Sequence, residues 1–145
     1  VRPEDEVFHL GDFCFGDLDR YKQILNRLNG TITLLRGNHD HKTLRGVSEI
    51  RLSNGKTVRV LDYYEIRRPS LMDVPMVVLS HYPLLRWNKG HHGSYMLHGH
   101  CHGGVNDLNT NTKRLDVGVD VHGYAPVSLE TVHATLKMKA PTEHH

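Results

Sequence analysis

Cysteine is scarce: Cys14 and Cys101 are the only two, and they lie far apart in the chain. A small secreted domain stapled by disulfides uses more, so free thiols and a cytoplasmic setting are expected. No apolar stretch approaches the ~20 residues that a membrane helix needs. The opening VRPEDEVFHL lacks the charged leader and long apolar run of a signal peptide. Charge of one sign is also lacking. Eighteen Lys and Arg against sixteen Asp and Glu leave a net charge of +2, and no run of like charge exceeds three residues. That balance argues against an anionic membrane or a long nucleic acid as partner.

What remains is ordinary in bulk and unusual in one residue type. The 145 residues suffice for one domain with a core, and 38% hydrophobic and 23% charged content is typical of a globular chain. Thirteen residues are histidine, the commonest protein metal ligand. His144 and His145 end the chain and read as a tag remnant, so the expected domain is 1–140 with 141–145 as a tail. Several of the others are grouped: His39/His41, His91/His92 and His98/His100/His102.

Hydrophobic patterning gives alternating strands and helices. EVFHLG predicts a buried strand delivering Asp12, and Asp17 predicts the cap of a helix carrying Leu18, Tyr21, Leu25 and Leu28, stopped by Gly30. TITLL predicts a strand delivering RGNHDH. EIRL, SNG and KTVRVLDYYEI predict a hairpin with Asn54-Gly55 as a two-residue turn. MVVLS delivers His81, and YMLH delivers GHCH. RLDVGVDV (114–121) alternates as a strand does, and Ser128 caps a final helix carrying Leu129, Val132 and Leu136. The stretch 87–94, WNKGHHGS, is expected to be a mobile loop. Four polar clusters thus follow apolar strands, and in open α/β sheets sites gather beyond the carboxyl ends of strands.

Each cluster alone has a plain structural reading. Asp12 and Asn38 suit turns, His81 suits a satisfied core position, and GHCH suits a turn with incidental imidazoles. Taken together, GD (11–12), GNHD (37–40), His81 after its strand and GHCH (99–102) resemble the calcineurin-like metallophosphoesterases in order and rough spacing. The flanks HLGDFCFGD, RGNHD, SHYP and LHGHCHG resemble the compact bacterial and phage members.

That resemblance implies an α/β fold of two packed mixed sheets flanked by helices. It also implies two divalent transition metals, Mn, Fe, Zn or Co. Asp12 would bridge them; Asn38, His81 and His100 would complete one site, and His102 would serve the other. His39 would be the proton donor, and Asp40 is the expected partner of its ring. Arg36 is a candidate contact for a phosphate oxygen, with a structural arginine as the other reading. The family's Asp-x-His strand, which supplies the rest of the first metal site, is not found ahead of Asp12. One complete metal position is therefore expected, along with strand edges that a homodimer could cover. Asp120-Val-His122 is an Asp-x-His late in the chain and the weaker candidate for a replacement.

The implied chemistry is hydrolysis of a phosphate ester by a metal-bridging hydroxide, on a small or nucleotide-like phosphodiester. A nuclease on the same site and a metal-binding scaffold without catalysis are the alternatives.

Overall fold

The structure is a computed structural model that describes residues 1–71 and 73–143. The expected tag remnant at His144 and His145 lies outside the described residues. The chain divides into two compact units, Val1–Asp62 and Tyr63–His145, each with a four-stranded mixed sheet.

The first unit contains β1 (Glu6–His9), α1 (Leu18–Leu25), β2 (Thr31–Leu35), α2 (His41–Leu44), β3 (Glu49–Arg51) and β4 (Thr57–Leu61). Its sheet order is β1-β2-β4-β3. β1, β2 and β4 run parallel, and β3 is antiparallel to β4. TITLL is buried along four of its five residues, as a strand covered on both faces requires. The Asp17 carboxylate accepts the Arg20 N–H at 3.0 Å and starts α1. Tyr21 and Leu25, one turn apart, then pack on Ile32, Leu34, Val58 and Val60.

The helix stops at Leu25, one turn short of the expected Leu28. The Arg27 and Leu28 N–H groups bond three residues back instead, and Leu28 is exposed. Gly30 makes the return to β2. A Cβ there would lie 2.8 Å from the Asp5 carbonyl oxygen, and its φ is +93°. The β3–β4 hairpin also differs from expectation. Leu52 bonds Lys56 across a three-residue loop, Ser53-Asn54-Gly55, rather than a two-residue turn. Gly55 takes φ +86°, and the Asn54 side chain accepts the Lys56 N–H.

The second unit contains β5 (Tyr63–Arg67), β6 (Met76–Ser80), β7 (Tyr95–His98), β8 (Arg114–Asp116) and α3 (Leu129–Leu136). Its order is β5-β6-β7-β8, with β5 antiparallel to β6 and the other pairs parallel. The run KTVRVLDYYEI is therefore not one hairpin arm. It divides at Asp62, giving the last strand of one sheet and the first of the next. Val58, Val60, Tyr64 and Ile66 keep one phase of alternation through the break, so the pattern carries no mark of it.

The expected strand over 114–121 ends at Asp116. The Asp116 carboxylate accepts the Gly118 N–H at 2.9 Å, and Val119–Val121 forms a 3₁₀ turn. Ser128 caps α3 through the Thr131 N–H, and Lys113 Nζ bonds the Leu136 and Lys137 carbonyls at its other end. The loop expected to be mobile is fastened within itself. Trp87 Nε1 donates to the Ser94 carbonyl and the Ser94 hydroxyl to the Asn88 carbonyl. No described helix is long and apolar enough to cross a membrane.

Candidate metal centre

In the first unit the parallel neighbours β1 and β2 run on into the loops that carry Asp12 and Gly37-Asn38-His39-Asp40. The two loops are locked together. Asp12 has φ +56°, a left-handed conformation uncommon for an aspartate. Its Oδ1 accepts the His39 backbone N–H at 2.9 Å. Asp40 is fully buried, and its carboxylate receives four donors: the N–H groups of Asp12, Phe13 and Gly37, and the Tyr21 hydroxyl. Gly37 is a glycine because Asp12 lies directly against it. A Cβ there would sit 2.3 Å from Asp12 Oδ1 and 2.5 Å from its backbone nitrogen. With the His39 backbone bound in this way, the Asn38 and His39 residues are exposed, and the His39 ring meets Phe15 edge-on with centroids 5.5 Å apart.

In the second unit β6 delivers His81, which is 2% exposed. β7 beside it delivers His98-Gly99-His100-Cys101-His102. The Gly99 N–H bonds the His81 carbonyl at 3.1 Å and holds the two strand ends together. His81 Nε2 and His100 Nδ1 face each other at 3.2 Å, and Tyr82 lies edge-on to both rings. Two imidazole nitrogens bound to one metal at about 2.1 Å, with a bond angle of roughly 90–110°, stand about 3.0–3.4 Å apart. The pair therefore fits a shared ion. His100 and His102 both take left-handed φ, +67° and +49°. Two strained residues so close together mark a loop whose conformation serves the side chains it presents.

A family model described as calcineurin-like phosphoesterase matches residues 1–136. The chain belongs to the calcineurin-like phosphoesterase family. It is 29% identical over 138 residues to an uncharacterized protein of Methanocaldococcus jannaschii, covering 91% of this chain and 66% of that relative. The chain thus spans a little under two thirds of the length of the curated relative it matches. No solved structure matches it.

Several residues of this family member lie elsewhere than their sequence roles suggest. Asp40, expected to orient the His39 ring, instead places its two oxygens on four other donors and staples the Asp12 and Asn38 loops together. Arg36, a candidate phosphate contact, has its guanidinium already engaged. It pairs with both oxygens of Asp62 at 2.7 and 3.2 Å and donates to the Leu44 and Val47 carbonyls at 3.2 and 2.5 Å. The Arg36 hydrogen bond holds the Asp62 carboxyl below its usual value. Asp120 and His122 do not converge as an Asp-x-His ligand pair. His122 Nε2 bonds the Asp116 carbonyl, while the Asp120 carboxylate bonds the His102 ring.

Burial raises the Cys14 and Cys101 thiols, and neighbouring carboxylates raise them further. Both shifts disfavour the thiolate form that a cysteine nucleophile needs. Burial also raises the Tyr21 hydroxyl, as does its bond to Asp40, so Tyr21 remains a donor.

Sequence reasoning missed the carboxylates behind the second loop. Asp116 accepts the Gly103 and Gly118 N–H groups at 2.9 Å each. Asp107 is 4% exposed and binds His98 Nε2 at 2.6 Å and Arg114 Nε at 3.0 Å. His98 itself is fully buried, and its Nδ1 bonds the Gly99 carbonyl at 2.8 Å. Their one sequence trace is the cost of burying a charge, which makes an aspartate next to apolar strand residues unusual unless it is paired.

Proposed function

We propose that this chain carries the hydrolytic site of a metal-dependent phosphoesterase, with a phosphodiester of a small or nucleotide-like molecule as substrate. The observation that carries the reading is the meeting of His81 Nε2 and His100 Nδ1 at 3.2 Å. By the family's pattern Asp12, His81 and His100 would each offer one ligand atom, and a mixed imidazole and carboxylate set suits Mn, Fe, Zn or Co better than Ca or Mg. Asn38 would join them through its side-chain oxygen, and His102 would serve a second ion. Bound divalent ions supply Lewis acidity, polarising the phosphoryl oxygen and easing deprotonation of the attacking water.

The residues of the chain do the rest. Asp12, tied through Oδ1 to the His39 backbone, sets the distance between its own carboxylate and that histidine. His39 holds a proton on its exposed ring and hands it to the leaving oxygen, a contribution of typically ~10²–10⁴-fold. Membership of the family supports this reading, as does the retention of His39, which a pure metal scaffold does not need.

The test measures metal content and turnover of a generic aryl phosphodiester in the wild type, Asn38→Ala, His81→Ala and His39→Ala. The first two variants are expected to lose metal and activity together. The third should keep metal and lose on the order of 10²-fold or more in kcat. Unchanged metal and turnover in Asn38→Ala and His81→Ala would end the proposal. Faster cleavage of a long single strand than of a dinucleotide would move the assignment to a nuclease.

A further inference from the structure

We propose that Asp120 is a positioning residue for His102. By accepting the proton on Nδ1, it fixes the ring tautomer that offers Nε2 as the electron-pair donor to a metal ion. The inference deepens the reading above and rests on it for the identity of the ion.

Three observations carry it. First, the His102 Nδ1–Asp120 Oδ2 separation is 2.5 Å, and a carboxylate at that distance can only accept, so the hydrogen lies on Nδ1. Free imidazole side chains favour the opposite tautomer, with hydrogen on Nε2, so the carboxylate changes which nitrogen can bind a cation. Carboxylates that bond the far nitrogen of a metal-binding histidine raise its basicity and hold its plane.

Second, the pair is assembled by a common support. Asp116, at the end of β8, accepts the Gly103 N–H through Oδ2 and the Gly118 N–H through Oδ1, each at 2.9 Å. Gly103 directly follows His102, and Gly118 opens the 3₁₀ turn that carries Asp120. One buried carboxylate therefore fixes both partners. A side chain at Gly118 would push on both carboxylates, because a Cβ there would lie 2.8 Å from Asp120 Oδ1 and 3.1 Å from Asp116 Oδ1.

Third, His102 is exposed yet held at φ +49°. A chance surface ion pair contributes little and would not sustain a strained backbone on one side and a stapled turn on the other.

The alternative to exclude is that Asp120 is itself a metal ligand. Long-range proton–nitrogen NMR on the metal-free protein near pH 8, with His102→Gln to assign the signal, reads the tautomer without metal or substrate. The wild type is expected to carry hydrogen on Nδ1 of His102. Asp120→Ala should revert to hydrogen on Nε2, whereas Asp120→Asn, whose amide oxygen still accepts, should keep Nδ1–H. Manganese or zinc titration followed by calorimetry should show about 10–100-fold weaker binding at one position in Asp120→Ala. The loss in Asp120→Asn should be severalfold smaller.

Hydrogen on Nε2 in the wild type overturns the inference. So does an Asp120→Asn variant that keeps the tautomer but loses as much metal affinity as Asp120→Ala, because Asp120 is then a ligand. A wild type with the expected tautomer that binds metal but turns over no phosphate ester leaves this inference standing and defeats the functional proposal instead.

Discussion

The two units present their metal-ligand candidates in the same way but fasten them differently. In each, two parallel strands lie side by side and lead into loops that hold non-glycine residues at left-handed φ: Asp12 in the first, His100 and His102 in the second. In each, a buried aspartate accepts backbone N–H groups from two separate loops. In the first unit that device is joined by uncharged donors, the His39 N–H to Asp12 Oδ1 and the Thr43 hydroxyl to the Gly16 carbonyl. Asp40 is surrounded by three N–H groups and one hydroxyl, with no cation among its hydrogen-bond donors. The second adds a largely buried cluster, the Asp107–Arg114 ion pair with His98 bonded to it, beneath the Gly99 carbonyl. A buried carboxylate on which four donors converge thus stands without a cation beside it, whereas one that receives only two N–H groups is accompanied by a charged cluster. The comparison predicts how each unit fails.

The largest effect is expected at Asp40. Asp40→Asn replaces an acceptor oxygen by an NH₂ group facing N–H or O–H donors, and it leaves buried donors without a partner. We expect a loss on the order of 3–5 kcal/mol in urea unfolding, with metal binding lost alongside. Asp116→Asn, which disturbs two N–H bonds at a site also held by the ionic cluster, should cost about 1.5–3 kcal/mol. If Asp116→Asn costs as much as Asp40→Asn, the distinction between the two supports fails.

Acid should act on the second unit through its ionic cluster. Burial pushes the Asp107 carboxyl up, but hydrogen bonds from His98 and Arg114 outweigh it, and the net shift is downward. A carboxyl whose folded pKa is depressed adds stability that is present above the unfolded value, near 3.9, and is lost as pH falls through the folded value. Asp107→Asn removes that contribution. The variant should be less stable than the wild type at pH 7, by about 2–3 kcal/mol, and the gap should narrow below pH ~4. Parallel stability curves from pH 7 down to pH 3 would show that the cluster does not titrate as its geometry requires.

This contrast was only partly legible in the sequence. The strands TITLL, MVVLS and YMLH announce themselves because burial on both faces demands continuous apolar residues. Asp17 and Ser128 announce their helices because a cap needs an oxygen at that position. The ligand candidates were legible because their chemistry fixes residue type. What escaped is support that comes from residues distant in sequence. Asp40 follows His39 directly, which suggests a local partnership, yet the carboxylate turns into the core toward Tyr21. Asp116 and Asp120 lie in an alternating run that reads as a strand, and only the bonds from Gly103 and Gly118 reveal a turn. The division at Asp62 leaves no trace, because the alternation continues in phase across it.

The smallest predicted effect concerns Arg36, where the sequence allowed either a substrate contact or a structural clamp. Its side chain is 15% exposed, its Nε and one terminal nitrogen pair with the exposed Asp62, and its other terminal nitrogen bonds the Leu44 carbonyl at the end of α2 and the Val47 carbonyl beyond it. The partly solvated ion pair contributes little, while the carbonyl bonds are charge-assisted and better shielded. Arg36→Met keeps much of the apolar stem and removes all of these bonds. It should lower stability by about 1–2 kcal/mol and leave the KM for a phosphodiester within about twofold, because loss of a substrate contact, unlike loss of a clamp, raises KM directly. A tenfold rise in KM with unchanged unfolding would restore Arg36 as a phosphate-binding residue. It would also place a substrate contact in the unit whose loops are otherwise held chiefly by the buried Asp40 carboxylate.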